Sequence, residues 1–336
     1  MKICIIGTGA VGGLLAAHIA QSDHQLTLFD HQEQINTLCK KGLSLISPDG
    51  SLLTTKNYTA TSELKSCLPQ DLIILATKAH QISSLAKDLQ PLYHDKTVVI
   101  TLQNGIPWWY FKKHGCQFDN LDLDCLDPES IISKHISADR IIGCTAYCAA
   151  EIKEPGVIHH TEGIRFPLGE LDGSTTSRIQ HAAKVFTDAG FKSPILTDIR
   201  SEIWLKAWGA LAFNPISALT HSTLEEICIY PDSRELVKEM MLEAEAIANL
   251  LGIKFRVPME KRINGAQKVG KHKTSMLHDV ESGIQLEIEA ILGSIIELGT
   301  LTDSPTPQIR AVYACSKLLN NTIRHNNLFI HANNKS

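Results

Sequence analysis

The first twelve residues constrain this chain most. Ile3-Cys4-Ile5-Ile6 is a short apolar run that stops abruptly at glycine, the pattern of a strand buried on both faces of a parallel sheet. Gly7, Gly9 and Gly12 follow at G-x-G-x-x-G spacing, and Val11, Leu14, Leu15 and Ile19 then recur on one helical face. Strand, glycine turn and helix in that order are the context in which three spaced glycines mean dinucleotide binding. Gly7 allows the tight turn, Gly9 lets the backbone approach a pyrophosphate, and Gly12 lets the helix lie close to the sheet. Thr8, Ala10 and Val11 complete the set of cofactor-binding candidates around the helix start, where unpaired N–H groups and the helix dipole favour an anion.

The chain beyond the turn continues the same theme. Residues 25–30 read as a second strand ending in Asp30, about twenty residues after the glycines. A carboxylate there accepts hydrogen bonds from the adenosine ribose and repels a 2′-phosphate. His31 follows, where an arginine would argue for NADP, so electrostatics alone lean to NADH; the alternative role for Asp30 is capping a turn. Residues 71–78 form a buried strand ending in Lys78, and 98–102 another leading to Asn104. Both side chains fall at the carboxyl edge of the sheet, where ligands bind in such folds. Asn104 could instead be a plain turn residue before Gly105. Residues 43–53 suggest a hairpin. Residues 106–138 break the alternation as a long excursion, whose Trp108-Trp109-Tyr110-Phe111 cluster reads as local packing before it reads as a pocket cover or subunit contact.

From Ile199 the pattern is helical, with predicted helices over 236–251, 283–299 and 309–319. The predicted architecture is therefore α/β: an N-terminal Rossmann-type doubly wound sheet over 1–196, carrying the 106–138 excursion, then an all-α domain over 197–330.

Composition excludes several classes. A net charge of −4 over 336 residues argues against nucleic-acid binding, and no apolar run is long enough for a membrane span. The nine cysteines are scattered, which suits reduced thiols and a cytoplasmic location. His159 and His160 are adjacent on a predicted strand and would face opposite ways, so no metal site is expected. The composition permits a homodimer without demanding one.

Five motifs in order then resemble the ketopantoate reductase (2-dehydropantoate 2-reductase) family. They are Gly7-Thr8-Gly9-Ala10-Val11-Gly12, Ala76-Thr77-Lys78-Ala79, Leu102-Gln103-Asn104-Gly105, Trp204-Leu205-Lys206 leading to Asn214-Pro215-Ile216-Ser217-Ala218, and Thr274-Ser275-Met276-Leu277 leading to Leu286-Glu287-Ile288-Glu289. The resemblance implies NADPH on the first domain and a small 2-oxo acid enclosed with the helical one. It assigns Lys206 and Glu287 as catalytic, Asn104, Asn214 and Ser275 as substrate-binding, and Lys78 as a cofactor contact, with Asn104 also near the cofactor. Lys271 and Lys273 could add positive field. Two positions depart from the family: Ala210 stands where an asparagine is common, and Asp30-His31 where arginine is frequent. The expected function is reduction of ketopantoate to pantoate by NADPH or NADH. The alternatives are a dehydrogenase of another 2-oxo or 2-hydroxy acid, and a dinucleotide-binding protein without catalysis.

Overall fold

The computed structural model describes residues 1–326. Its strands are β1 (Lys2–Ile6), β2 (Gln25–Phe29), β3 (Leu43–Ile46), β4 (Leu52–Thr55), β5 (Thr59–Thr61), β6 (Leu72–Leu75), β7 (Val98–Thr101), β8 (Ile141–Cys144), β9 (Tyr147–Glu154), β10 (Val157–Arg165) and β11 (Leu168–Glu170). Its helices are α1 (Ala10–Ile19), α2 (Gln32–Lys41), α3 (Ile82–Leu85), α4 (Ile131–His135), α5 (Ser177–Asp188), α6 (Ile199–Thr220), α7 (Leu224–Ile229), α8 (Pro231–Leu250), α9 (Met259–Lys268), α10 (Ser275–Glu281), α11 (Ser294–Leu301) and α12 (Pro307–Asn326). They divide into two compact units. One comprises Met1–Gln103 with Trp108–Ile199; the other comprises Asn104–Pro107 with the chain from Arg200 on.

The first unit is built on a seven-stranded sheet of order β11-β8-β7-β6-β1-β2-β5. All neighbours are parallel except β11 on β8. The chain winds outward from β1 through β2 to β5, then returns to β1's other side as β6, β7 and β8. The order reverses between β1 and β6, so the glycine turn after β1 opens at the switch point, the usual ligand position. A four-stranded sheet, β4-β3-β10-β9, packs over α1, and β3–β4 is the expected hairpin. That second cover explains a helix that is apolar nearly all round. Gly12 to Ala17 and Ile19, with the exception of His18, are buried, and a Cβ on Gly13 would meet the Ile158 side chain of β10 at 2.7 Å.

The excursion packs inward, as its aromatic content suggests. Trp108, Trp109, Tyr110 and Phe111 are all buried, and Trp109 Nε1 donates to Thr101 Oγ1 at 3.0 Å. Its acidic residues act as internal fasteners. Asp122 pairs with Lys112 at 2.7 Å, and the fully buried Asp127 accepts from the amides of Ile132 and Ser133 at 2.6 and 2.8 Å.

In the helical unit, α6 is anchored by two tryptophans. Trp208 stacks on Phe255 with ring centroids 4.0 Å apart and donates from Nε1 to Met241 O on α8 at 2.8 Å. The predicted 283–299 helix is shorter than its periodicity suggests. Gly283 takes φ +65° and residues 284–287 are non-helical. The Leu286 amide is satisfied by Asn320 Oδ1 at 2.9 Å instead of a helical carbonyl. The helix starts at Ile288 and runs through a π turn, Glu289–Gly293, into α11. Among the described residues no helix is long and apolar enough to cross a membrane.

Candidate active site

The two units carry different halves of the predicted site. In the first, the glycine turn behaves as its spacing implies. Gly7 adopts φ +93°, and a Cβ on Gly12 would lie 1.9 Å from Gly7 O, so neither admits a side chain. Gly9 differs: its φ is −66°, and nothing lies within 4 Å of where its Cβ would be. Nothing in the fold demands glycine at 9, and the space left open is the cradle a pyrophosphate would fill. A Gly9→Ala variant is therefore expected to keep its stability within about 1 kcal/mol. Its nucleotide dissociation constant is expected to rise at least about tenfold, checked by a urea denaturation curve beside a binding titration.

Asp30 sits just past the end of β2 and is already engaged. Its Oδ2 accepts from Thr8 N and Thr8 Oγ1, both at 2.6 Å, and its Oδ1 accepts from His31 N at 2.8 Å. The turn-capping role and the ribose role thus meet in one side chain. A carboxylate offers about four acceptor positions, so one remains for a ribose hydroxyl. The Thr8 hydroxyl is committed to Asp30, while Ala10 and Val11 open α1, where the first amides lack helical partners. His31 flanks α2, and Lys78 follows β6, its amide held by Gln81 Oε1 at 3.0 Å.

Three further groups at this edge escaped the sequence reading. Thr77 Oγ1, Gln103 Oε1 and Thr145 Oγ1 are buried without hydrogen-bond partners, and they follow the carboxyl ends of the adjacent strands β6, β7 and β8. Gln103 Nε2 donates to Leu75 O at 2.9 Å and Thr77 O at 3.1 Å, which fixes the amide and leaves its oxygen as the open acceptor. Buried polar atoms are normally paired, so a row of three unpaired ones at the ligand edge fits a polar ligand there. Position at a strand's carboxyl end was one sequence signal for all three, and Thr77 and Gln103 also stand inside two of the five motifs.

The second unit holds the predicted catalytic residues. Between Glu202 and Ala218 on α6 every residue is buried except Lys206, Ala210 and Asn214. Their four-residue spacing stacks them on one side of the helix. Trp204 and Trp208 are fully buried on the other sides, so the lysine is not resting between two surface rings.

Glu287 is buried and lies just before the helix, not within it as expected. It accepts at Oε2 from Asn104 Nδ2 at 3.2 Å, across 183 residues of sequence. The neighbouring acids have other work. Glu281 pairs with Lys273 at 2.7 Å, and Glu289 pairs with Lys317 at 2.6 Å and accepts from the Tyr313 hydroxyl at 3.0 Å. Lys273 is thus half of a local ion pair, which offsets the field it could add at a substrate.

The π turn explains how Asn104 reaches Glu287. Its Ala290 carbonyl accepts from Ile106 N at 2.9 Å and from Ser294 Oγ at 2.8 Å. Gly105, at φ +78°, makes the approach possible: a Cβ there would lie 1.9 Å from Ala290 O. A one-residue widening of the helix therefore docks the 104–107 segment, and the π turn sits at the candidate site, as such turns often do. Ser275 opens α10 and is exposed, beside the cap residue Thr274, whose hydroxyl accepts from Leu277 N at 3.3 Å. The structure joins Asn104 to Glu287 and sets Lys206 and Asn214 on one seam; it gives Ser275 no hydrogen bond to any of them among the described residues.

Of the two adjacent histidines, His159 Nδ1 lies 3.1 Å from Glu151 Oε1 and His160 Nε2 2.8 Å from Gly163 O.

Comparison with known proteins covers nearly the whole chain. The family described as Ketopantoate reductase PanE/ApbA matches residues 3–173, and its C-terminal counterpart matches residues 198–320. A 2-dehydropantoate 2-reductase from Mesorhizobium japonicum is 42% identical over 95% of this chain and 98% of its own length. A solved structure from Ralstonia solanacearum MolK2 superposes with TM-score 0.90 at 32% identity, covering 96% of this chain and 98% of that one. A 2-dehydropantoate 2-reductase structure from Geobacter metallireducens GS-15 gives TM-score 0.82 at 26% identity over 95% of this chain and 99% of that one.

Proposed function

The chain belongs to the ketopantoate reductase family, and from that premise we propose that it reduces the 2-oxo group of ketopantoate to the hydroxyl of pantoate with a reduced nicotinamide nucleotide. The observation that carries the reading is the half-buried seam Lys206-Ala210-Asn214 on a helix otherwise buried between Glu202 and Ala218, together with the Asn104–Glu287 bond in the same unit. Gly7 to Gly12, Asp30, Gln103 and Lys78 would hold the nucleotide, which when bound supplies a hydride to the carbonyl carbon.

The protein's own residues do the rest. Lys206 Nζ donates a proton to the substrate oxygen, and its charge stabilises the oxyanion that develops there. Glu287, held by Asn104, accepts from a substrate hydroxyl and keeps the substrate in register. Asn214, two helical turns from Lys206, bonds the substrate's polar end, and Ser275 donates to its carboxylate. Steady-state assays of the purified protein with ketopantoate and each reduced nucleotide test the reading; no turnover with either rejects it.

Asp30 favours NADH as the better nucleotide, because its carboxylate opposes a 2′-phosphate and no arginine follows it. The NADH dissociation constant is expected to be at least about tenfold below that of NADPH in a direct titration. The reverse order would remove Asp30 as the determinant.

Ala210 supports a second reading. Its methyl group occupies the seam position between Lys206 and Asn214, where an amide would serve the C4 hydroxyl of ketopantoate. A 2-oxo acid with an apolar branch and no such hydroxyl then competes as substrate. A higher kcat/KM for 2-oxo-3-methylbutanoate than for ketopantoate, reversed by Ala210→Asn, would establish it.

A further inference from the structure

The excursion borders a half-open cavity of about 560 Å³ that none of the proposed catalytic or nucleotide-binding residues lines. That volume is the size of an ordinary small-molecule site. It lies toward the wrong edge of the sheet for a dinucleotide. Tyr93 stands before β7 and Arg140 immediately before β8, both at strand amino ends, whereas nucleotides bind at the carboxyl ends. Arg140 Nη1 ties this corner together by donating to His94 O at 2.6 Å and Thr97 O at 3.3 Å.

The lining has one sign of charge. Lys112, Lys134 and Arg140 border the cavity and no carboxylate does, in a chain whose net charge is −4. Lys112 is neutralised by Asp122 at 2.7 Å. Lys134 donates to the Glu129 carbonyl at 2.8 Å, and neither it nor Arg140 has a carboxylate within ion-pair distance among the described residues. The Arg140 guanidinium stacks on the Tyr93 ring at 4.8 Å, which leaves its Nε and Nη2 hydrogens for a ligand; the Tyr93 hydroxyl is buried without a partner. Trp108 and Trp109 supply the apolar wall.

The turn that leads into the lining residues Ser133 to Ala138 is held under strain. Glu129 and Ser130 both have left-handed backbone, φ +58° and +53°, at a cost of about 1 kcal/mol or more each. The buried Asp127 carboxylate keeps them there through the Ile132 and Ser133 amides, and so fixes the run that presents Lys134.

We propose that this cavity binds a small organic anion. Its carboxylate or phosphate group is held by Arg140 and Lys134, and its body rests on Trp108 and Trp109. Arginine's fork suits either head group, and two unpaired cations in a recessed site raise the local concentration of anions.

Isothermal titration of the full chain with 4-nitrophenyl phosphate and with 4-nitrobenzoate tests this and separates the two head groups; 4-nitrobenzyl alcohol is the neutral control. At least one anion is expected to bind with a dissociation constant below about 1 mM, and the alcohol at least about tenfold more weakly. Arg140→Gln should weaken the anion about tenfold or more, Lys134→Gln about threefold, and Ala138→Trp, which fills the space, should abolish binding. Saturating NADH should leave the affinity unchanged. Because Arg140 also braces two carbonyls, its variant is checked by circular dichroism; if it does not fold, the exposed Lys134 and the lining Ala138 decide. No binding of either anion, equal affinity in wild type and variants, or displacement by NADH would overturn the proposal.

Discussion

Replacing Lys206 with alanine is expected to lower kcat by about 10³-fold while leaving the nucleotide dissociation constant within about twofold of wild type. The size follows from two roles lost together: a proton for the forming alkoxide and a positive charge beside it. In a site sheltered from water each is worth several kcal/mol, and a bulk-water proton replaces only the first. The split between kcat and binding matters as much as the magnitude, because Lys206 belongs to the helical unit and the nucleotide residues to the other. The loss of stability should be small beside this, since position 206 is one of three on α6 that are not buried between Glu202 and Ala218. Single-turnover reduction followed by nicotinamide absorbance, with a parallel nucleotide titration, reads both quantities. Full activity in the variant would remove Lys206 as the proton donor.

Gly105→Ala is expected to be nearly as damaging, by a different route. Alanine at φ +78° costs about 1 kcal/mol in backbone energy alone. The larger cost is steric: its Cβ would stand 1.9 Å from the Ala290 carbonyl oxygen, well inside contact distance. The segment has to move away, which breaks the Ile106–Ala290 hydrogen bond and withdraws Asn104 from Glu287. A buried carboxylate would lose one of its donors, at about 1–3 kcal/mol. The expected result is a stability loss of about 3 kcal/mol or more by urea denaturation, with kcat/KM down about 10²-fold in molecules that still fold. Asn104→Ala, which removes the amide without moving the backbone, should reduce kcat/KM with a much smaller loss of stability. Equal stability of Gly105→Ala and wild type would contradict the docking of 104–107 on the π turn.

What the sequence could reveal depended on the range of the forces involved. The opening strand, turn and helix were legible because glycine spacing and a four-residue apolar run act locally. The β3–β4 hairpin and the inward packing of Trp108 to Phe111 were legible for the same reason. The helix predicted over 283–299 failed at its start. Ile284 fits the period, but Gly283 turns the chain and Asn320, far along the sequence, takes the Leu286 amide. The π turn was invisible because one inserted residue barely shifts an apolar period. Thr77 and Gln103 stand inside two of the five motifs and Thr145 in none, yet what marks all three is the lack of a partner for one buried atom, a property that exists only after folding. The partner of Lys273 was not legible either: a lysine near a candidate serine suggests field, and only the fold pairs it with Glu281, eight residues on.

The comb of half-open positions on α6 also bears on how such an enzyme can change its diet. On most core helices a substitution that alters a binding surface also disturbs packing, so new specificity is bought with stability. Here residue 210 can vary in size and polarity while its neighbours Trp208, Gly209, Leu211 and Ala212 keep the helix seated. Saturation mutagenesis should show a tolerance for folding that recurs every fourth residue, at 206, 210 and 214, while activity falls most at 206, less at 214, and changes its substrate preference at 210. A lineage could thus exchange one acid for another at position 210 without passing through unstable ancestors.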